Sequence, residues 1–183
     1  MIAQIIAAHH QDRTSSLTSI MSSSGDPKLP PATAEAMAAL LAPRPGIEDR
    51  ENAIQHGINV YRAIGSPGFP TPGPELRAKV ERALDRSYYP SGVGRQFLAI
   101  LAGGSRVEML RCIKIPTLVI HGADDPLVPV EAGEDTAKHI PGAKLKIIPG
   151  MGHDLATGLI PVLVDAIAEH CLTVDKRQIP RSS

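Results

Sequence analysis

Tryptophan is absent from these 183 residues, and aromatic residues make up only 3% of them. The core must therefore be assembled from Ala, Leu, Ile and Val, with few of the large side chains that commonly anchor one, and its stability is expected to be modest. Cysteine is scarce too. Cys112 and Cys171 are too few for a disulfide framework and show no C-x-x-C spacing, which points to a reducing compartment, read here as the cytoplasm, with both thiols free and buried. Neither sign of charge is in excess, since Lys plus Arg and Asp plus Glu both number 19. Without a net field to draw the chain to nucleic acid or to an anionic membrane, small-molecule chemistry gains by elimination. The opening Met1–His10 has neither the basic start nor the apolar run of a leader, and no segment is expected to reach the roughly 18 apolar residues of a membrane span.

What is present is globular. Hydrophobic residues at 43% and charged ones at 21% are near the usual proportions, and the length suffices for one domain with a real core. Ile2, Ile5, Ile6 and His9 recur at the spacing of one helix face, so the chain opens inside a helix with no capping residue ahead of it. Ser16 to Met21 reads as a short strand closed by Ser22-Ser23-Ser24-Gly25. From Pro27 the pattern becomes helical, with segments over Thr33–Leu41, Ile47–Ile64, Pro74–Leu84 and Gly92–Leu101, and its clearest break at Ser66–Gly73.

The last third alternates. Thr117-Leu118-Val119-Ile120-His121 has the composition of a buried parallel strand, Val130–His139 of a helix, and Lys144–Ile148 of a further strand after a Pro141-Gly142 turn. Pro161 suits a first helical turn, and Leu159, Leu163, Ala166, Ile167 and His170 line one face of a closing helix. Strand, helix, strand, helix implies an α/β fold with a parallel sheet and right-handed crossovers. The expected organisation is a core fragment over 1–25, a helical lid over 26–104 and a C-terminal α/β core over 105–183.

Working groups in such sheets sit on the loops just past the carboxyl ends of strands. Here those loops read His121-Gly122-Ala123-Asp124-Asp125-Pro126-Leu127-Val128-Pro129 and Pro149-Gly150-Met151-Gly152-His153-Asp154-Leu155. A carboxylate after one strand and a histidine after the next can meet across the sheet edge. The pair of motifs, strand-H-G-x-x-D-P-x-x-P followed by strand and G-M-G-H-D-L, resembles the C-terminal signature of the α/β-hydrolase superfamily. Arg86-Ser87-Tyr88-Tyr89-Pro90 and Gly94-Arg95-Gln96 are similar to the lid of aclacinomycin methylesterase-like esterases.

The resemblance implies a partial α/β-hydrolase fold, with the last three parallel strands and a helical lid, and a Ser-His-Asp mechanism on a small-molecule ester without a cofactor. In it His153 is the general base and Asp125, the residue before Pro126, is the acid. Asp124 is the runner-up, and Asp154 is structural. Tyr88 and Tyr89 are candidates to line a substrate pocket or simply to pack the lid. The expected nucleophile, in a G-x-S-x-G elbow, occurs nowhere in the chain; the opening helix resembles the one that follows the elbow, so the serine is expected upstream of Met1. Little turnover by the chain alone follows.

Other readings stay open. Epoxide hydrolases and dehalogenases on the same fold carry Asp at the lost position. A non-catalytic remnant could bind an apolar ligand or a partner, with self-association through the exposed edge of the strand at Leu17–Met21. A separate polypeptide could supply the serine. His9, His10 and His121 show no convergent metal-ligand pattern, so no metal is expected.

Overall fold

A computed structural model describes residues 1–178, with side chains through Val174. Three parallel strands, β1 (Leu17–Ile20), β2 (Thr117–Gly122) and β3 (Lys144–Ile148), form a sheet in the order β1-β2-β3, with Leu17 opposite Thr117 and Gly122 opposite Ile148. The β2 to β3 crossover is α7 (Val130–His139), whereas β1 to β2 runs through the helical insertion. The three strands fall where their composition placed them, and the fold is α/β.

The alternation of a strand assigns its side chains to two faces. Leu118 and Ile120 meet Ile148, Leu159, Leu163 and Ala166 in a core against α8 (Ile160–Gln178). On the other face Leu17 packs with Ala7 of α1 (Ile2–His9), Leu110 of α6 (Val107–Arg111), Ile113 and Ile140. Each such large side chain withdrawn from water contributes about 1.5–3 kcal/mol before the entropy of ordering it. The closing helix buries Leu163, Ala166 and His170, as its periodicity implies.

α1 forms over the expected residues, with its isoleucine stripe turned outward. Ile2, Ile5 and Ile6 are 76%, 40% and 46% exposed, while Gln4 and Ala7 are buried. The cause is polar: Gln4 Nε2 donates to Ser19 Oγ on β1, and Gln4 Oε1 accepts from Arg106 Nε. Both cysteines are free but exposed, because Cys112 ends α6 and Cys171 lies on the outer side of α8. One further expectation is corrected. Thr157–Val174 is 18 residues long with a mean hydropathy of 1.4, long and apolar enough by composition to cross a membrane. Pro161, Asp165 and Glu169 interrupt the apolar run without lowering its average enough.

The insertion carries α2 (Ala34–Leu41), α3 (Arg50–Ile64), α4 (Gly73–Arg86) and α5 (Pro90–Gly103). Thr33 caps α2 and Asp49 caps α3 by accepting backbone N–H bonds, and Pro74 occupies the first turn of α4, which sets these starts. Ile54 and Ile58 of α3 pack on Leu76 and Val80 of α4 as a helical hairpin. α5 buries none of its residues. The short α6 escapes sequence reading because five residues are too few to show a helical period.

Candidate active site

β2 and β3 are adjacent and parallel, so the loops that leave their carboxyl ends emerge side by side. Backbone bonds knit them together: Ala123 N–H donates to Ile148 O and Asp124 N–H to Met151 O. The second aspartate choice is used in the same way, since Asp124 Oδ2 accepts from Gly150 N–H at 2.7 Å. Asp124 is therefore a brace between the loops.

Asp125 turns back under its own loop. Its Oδ1 accepts from Leu127 N–H at 2.9 Å and Val128 N–H at 2.8 Å, leaving Oδ2 to face His153 Nδ1 at 2.7 Å. The carboxylate is fully buried, whereas the His153 side chain is 24% exposed. Two backbone donors on one oxygen fix the plane of the carboxylate, and a carboxylate accepts only, so the proton of this contact sits on Nδ1 of His153. His153 Nε2 makes no hydrogen bond among the described residues. The structure thus joins the two residues that the sequence singled out.

His153 is held from the insertion as well. Its backbone N–H donates to Ile64 O at 2.7 Å, at the end of α3. On either side of it, Gly152 N–H donates to Ser66 Oγ at 2.9 Å and Asp154 Oδ1 accepts from that hydroxyl at 2.5 Å. Asp154, buried at 8% exposure, is engaged by Ser66 and does not reach the His153 ring as a partner. Sequence reading treated Ser66 only as part of a Pro-Gly break. No local signal marks it, because its partners lie 86 and 88 residues away.

The tyrosines have partners of their own. Tyr88 Oη donates to Pro45 O at 2.6 Å, and Tyr89, 59% exposed, lies under the Arg95 guanidinium at 4.8 Å from the ring centroid. Neither hydrogen-bonds to Asp125 or His153. His121 is fully buried and gives one ring nitrogen, Nε2, to Val128 O at 2.8 Å. No three His, Cys, Asp or Glu side chains gather at metal-holding geometry among the described residues.

Residues 69–156, which include β2, Asp125, β3 and His153, match the family described as alpha/beta hydrolase fold. The chain is 43% identical over 114 residues to a non-heme haloperoxidase of Rhodococcus erythropolis, an alignment covering 59% of this chain and 42% of that protein. It is 27% identical over 176 residues to a pimeloyl-[acyl-carrier protein] methyl ester esterase of Chromobacterium violaceum, covering 94% of this chain and 66% of that one. Among solved structures, a meta-cleavage product hydrolase from Pseudomonas fluorescens superposes with a TM-score of 0.63 at 18% identity, over 95% of this chain and 59% of its own. The chain thus spans under two thirds of each of these proteins.

Proposed function

We propose that this chain supplies the general base and the orienting acid of a carboxylic-ester hydrolase, His153 and Asp125, to a nucleophile that lies outside residues 1–183. The observation that carries this reading is the 2.7 Å contact from His153 Nδ1 to the buried Asp125 Oδ2. With Nδ1–H donating a hydrogen bond to the carboxylate and keeping its proton, Nε2 carries the lone pair and can take the proton of a hydroxyl as that oxygen bonds to an ester carbonyl carbon. The same Nε2–H then protonates the departing alkoxide. Water repeats the two steps on the acyl group, so ester plus water gives acid plus alcohol and the base is regenerated. The buried Asp125 carboxylate favours the imidazolium that forms between the steps.

An ester is preferred to an epoxide or an alkyl halide because a relative that aligns across nearly the whole chain, insertion included, is a methyl ester esterase. That alignment also supports the methylesterase-like reading of the lid. Of the two lid tyrosines, Tyr89 is the better candidate to meet substrate, since the Tyr88 hydroxyl is already bound to Pro45. The absence of G-x-S-x-G from the sequence makes the chain a poor catalyst alone.

The test is hydrolysis of a chromogenic acetate ester by the chain alone and mixed with a polypeptide carrying a G-x-S-x-G elbow, with a serine-labelling phosphonate beside it. Turnover confined to the mixture and lost with His153→Ala supports the reading. Turnover by the chain alone with one of its own serines labelled, or turnover indifferent to His153, sinks it.

A second reading, a partner-binding module, is favoured by the outward Ile2, Ile5 and Ile6 and by β1, which among the described residues pairs only with β2. Such an edge and face invite association with another chain or a second copy. A concentration-independent monomer in sedimentation analysis argues against it.

A further inference from the structure

His121 is the motif residue for which the relay has no use. It is fully buried on β2, and its ring lies against α7, where a Cβ built on Gly133 would stand 2.6 Å from His121 Cβ, Cγ and Nδ1. Its Nε2 is 2.8 Å from Val128 O; a carbonyl only accepts, so the ring proton is on Nε2. Nδ1 is buried with no hydrogen-bond partner among the described residues, and is left as the lone-pair nitrogen. An unpaired buried acceptor is costly to keep in a core.

What that cost secures is visible at Val128. Its carbonyl accepts from His121, and its N–H donates to Asp125 Oδ1 at 2.8 Å, so one residue is pinned on both sides. The His121 Nε2–H also lies 3.7 Å from Asp125 Oδ2, the oxygen that faces His153. Oδ2 therefore has His153 within bonding distance and His121 just beyond it, both from buried or half-buried positions.

We infer that His121 is a positioning residue for the acid: by holding Val128 through Nε2–H it closes the loop that fixes Asp125, and so sets the Asp125–His153 contact. The inference rests on the acid–base reading above. Without the donor, the Val128 carbonyl is released, the two-donor seat of Oδ1 loosens, and Oδ2 no longer presents one direction to His153. Gly133 belongs to the same device, because any side chain there displaces the ring.

The contact can be watched directly in the full chain by proton NMR in water, as a far-downfield resonance that disappears in His153→Ala. In His121→Leu, which keeps bulk and removes the donor, the resonance is expected to vanish. In His121→Gln, whose amide nitrogen reaches nearly the place of Nε2, it is expected to remain. Gly133→Ala, which leaves His121 chemically intact, is expected to remove it as well, and it decides the matter if His121→Leu does not fold. A histidine of merely structural value would lower the melting temperature in the Leu and Gln variants alike and leave the resonance in place. An unchanged resonance in Gly133→Ala, or in a folded His121→Leu, overturns the inference. A wild-type chain with no His153-dependent resonance overturns the acid–base reading and the inference together, a failure seen before any His121 variant is made.

Discussion

Ser66 Oγ donates to Asp154 Oδ1 at 2.5 Å and accepts from Gly152 N–H at 2.9 Å, so both neighbours of His153 hang from one hydroxyl in the turn after α3. Ser66 and Asp154 are 5% and 8% exposed, which leaves little water to replace the bond. Ser66→Ala should therefore strand a carboxylate and an N–H, at about 1–3 kcal/mol for each group left unpaired. In urea unfolding the midpoint should fall with the slope unchanged. A midpoint within error of the wild type would show that solvent reaches the site after the hydroxyl is gone.

Asp125 has two separable duties. Oδ1 seats the Leu127 and Val128 N–H groups, and Oδ2 faces His153. Asp125→Asn can keep the first with its carbonyl oxygen but turns an NH2 toward His153 Nδ1, which must then present its lone pair. Asp125→Ala loses both duties. The alanine variant should be less stable than the asparagine variant by about 1–3 kcal/mol. In any assay where His153 supports turnover, both should be impaired by about a thousandfold or more, the asparagine variant through the wrong histidine tautomer. Equal stability of the two variants would mean that the loop does not depend on the Oδ1 bonds.

Much of this was legible in the chain, and the reason is local. The strands at Thr117 and Lys144 and the loops after them carry their signal in contiguous residues, and the parallel pairing of neighbouring strands brings the loops together without further information. What was not legible depends on approach at a distance. Gly68 stood out only as part of the Ser66–Gly73 break and Gly150 only as part of the histidine loop, yet a Cβ on Gly68 would stand 2.7 Å from Gly150 Cα, and Gly150 has a φ of 76°, so the turn after α3 and the histidine loop meet backbone to backbone. Which face of α1 is buried was not legible for a related reason. Periodicity locates the apolar stripe, but which side turns inward was decided by Gln4, Ser19 and Arg106, whose contacts span 15 and 102 residues.

Acid should weaken the fold before its carboxylates titrate. Burial holds His170 below its usual pKa, helped by Lys144 and opposed by backbone bonding at Leu17 and Pro116; burial and Arg44 do the same to His56. Above about pH 6.5 these histidines are uncharged in the folded and unfolded chain alike and contribute no slope. Below it the unfolded chain binds protons that the folded chain resists, so stability falls as pH falls. Denaturant unfolding from pH 8 to pH 5 should show a plateau and then a decline, and His170→Gln should flatten part of the decline. A decline of the same steepness in that variant would exclude His170 as its source.

Arg106 offers the sharpest test of how the pieces are joined. It is 4% exposed, and its guanidinium donates to Gln4 Oε1 at 3.2 Å, Gly104 O at 3.2 Å and Ser23 O at 2.6 Å, tying α1, the segment after β1 and the end of the insertion together. Among the described residues no carboxylate pairs with it, so the charge is held by neutral acceptors alone, and burial lowers its pKa from the usual guanidinium range. Two costs compete when it is replaced. Arg106→Met leaves the acceptors unpaired at about 1–3 kcal/mol apiece but removes a poorly solvated charge. Arg106→Lys keeps the charge and, lacking the planar fork, cannot serve three separated acceptors. Both variants should be destabilised, and lysine, the closer chemical relative, should be the worse of the two in melting temperature. If lysine proves the milder change, the three hydrogen bonds outweigh the buried charge, and the join between insertion and core is held by donors at Arg106 whatever their geometry.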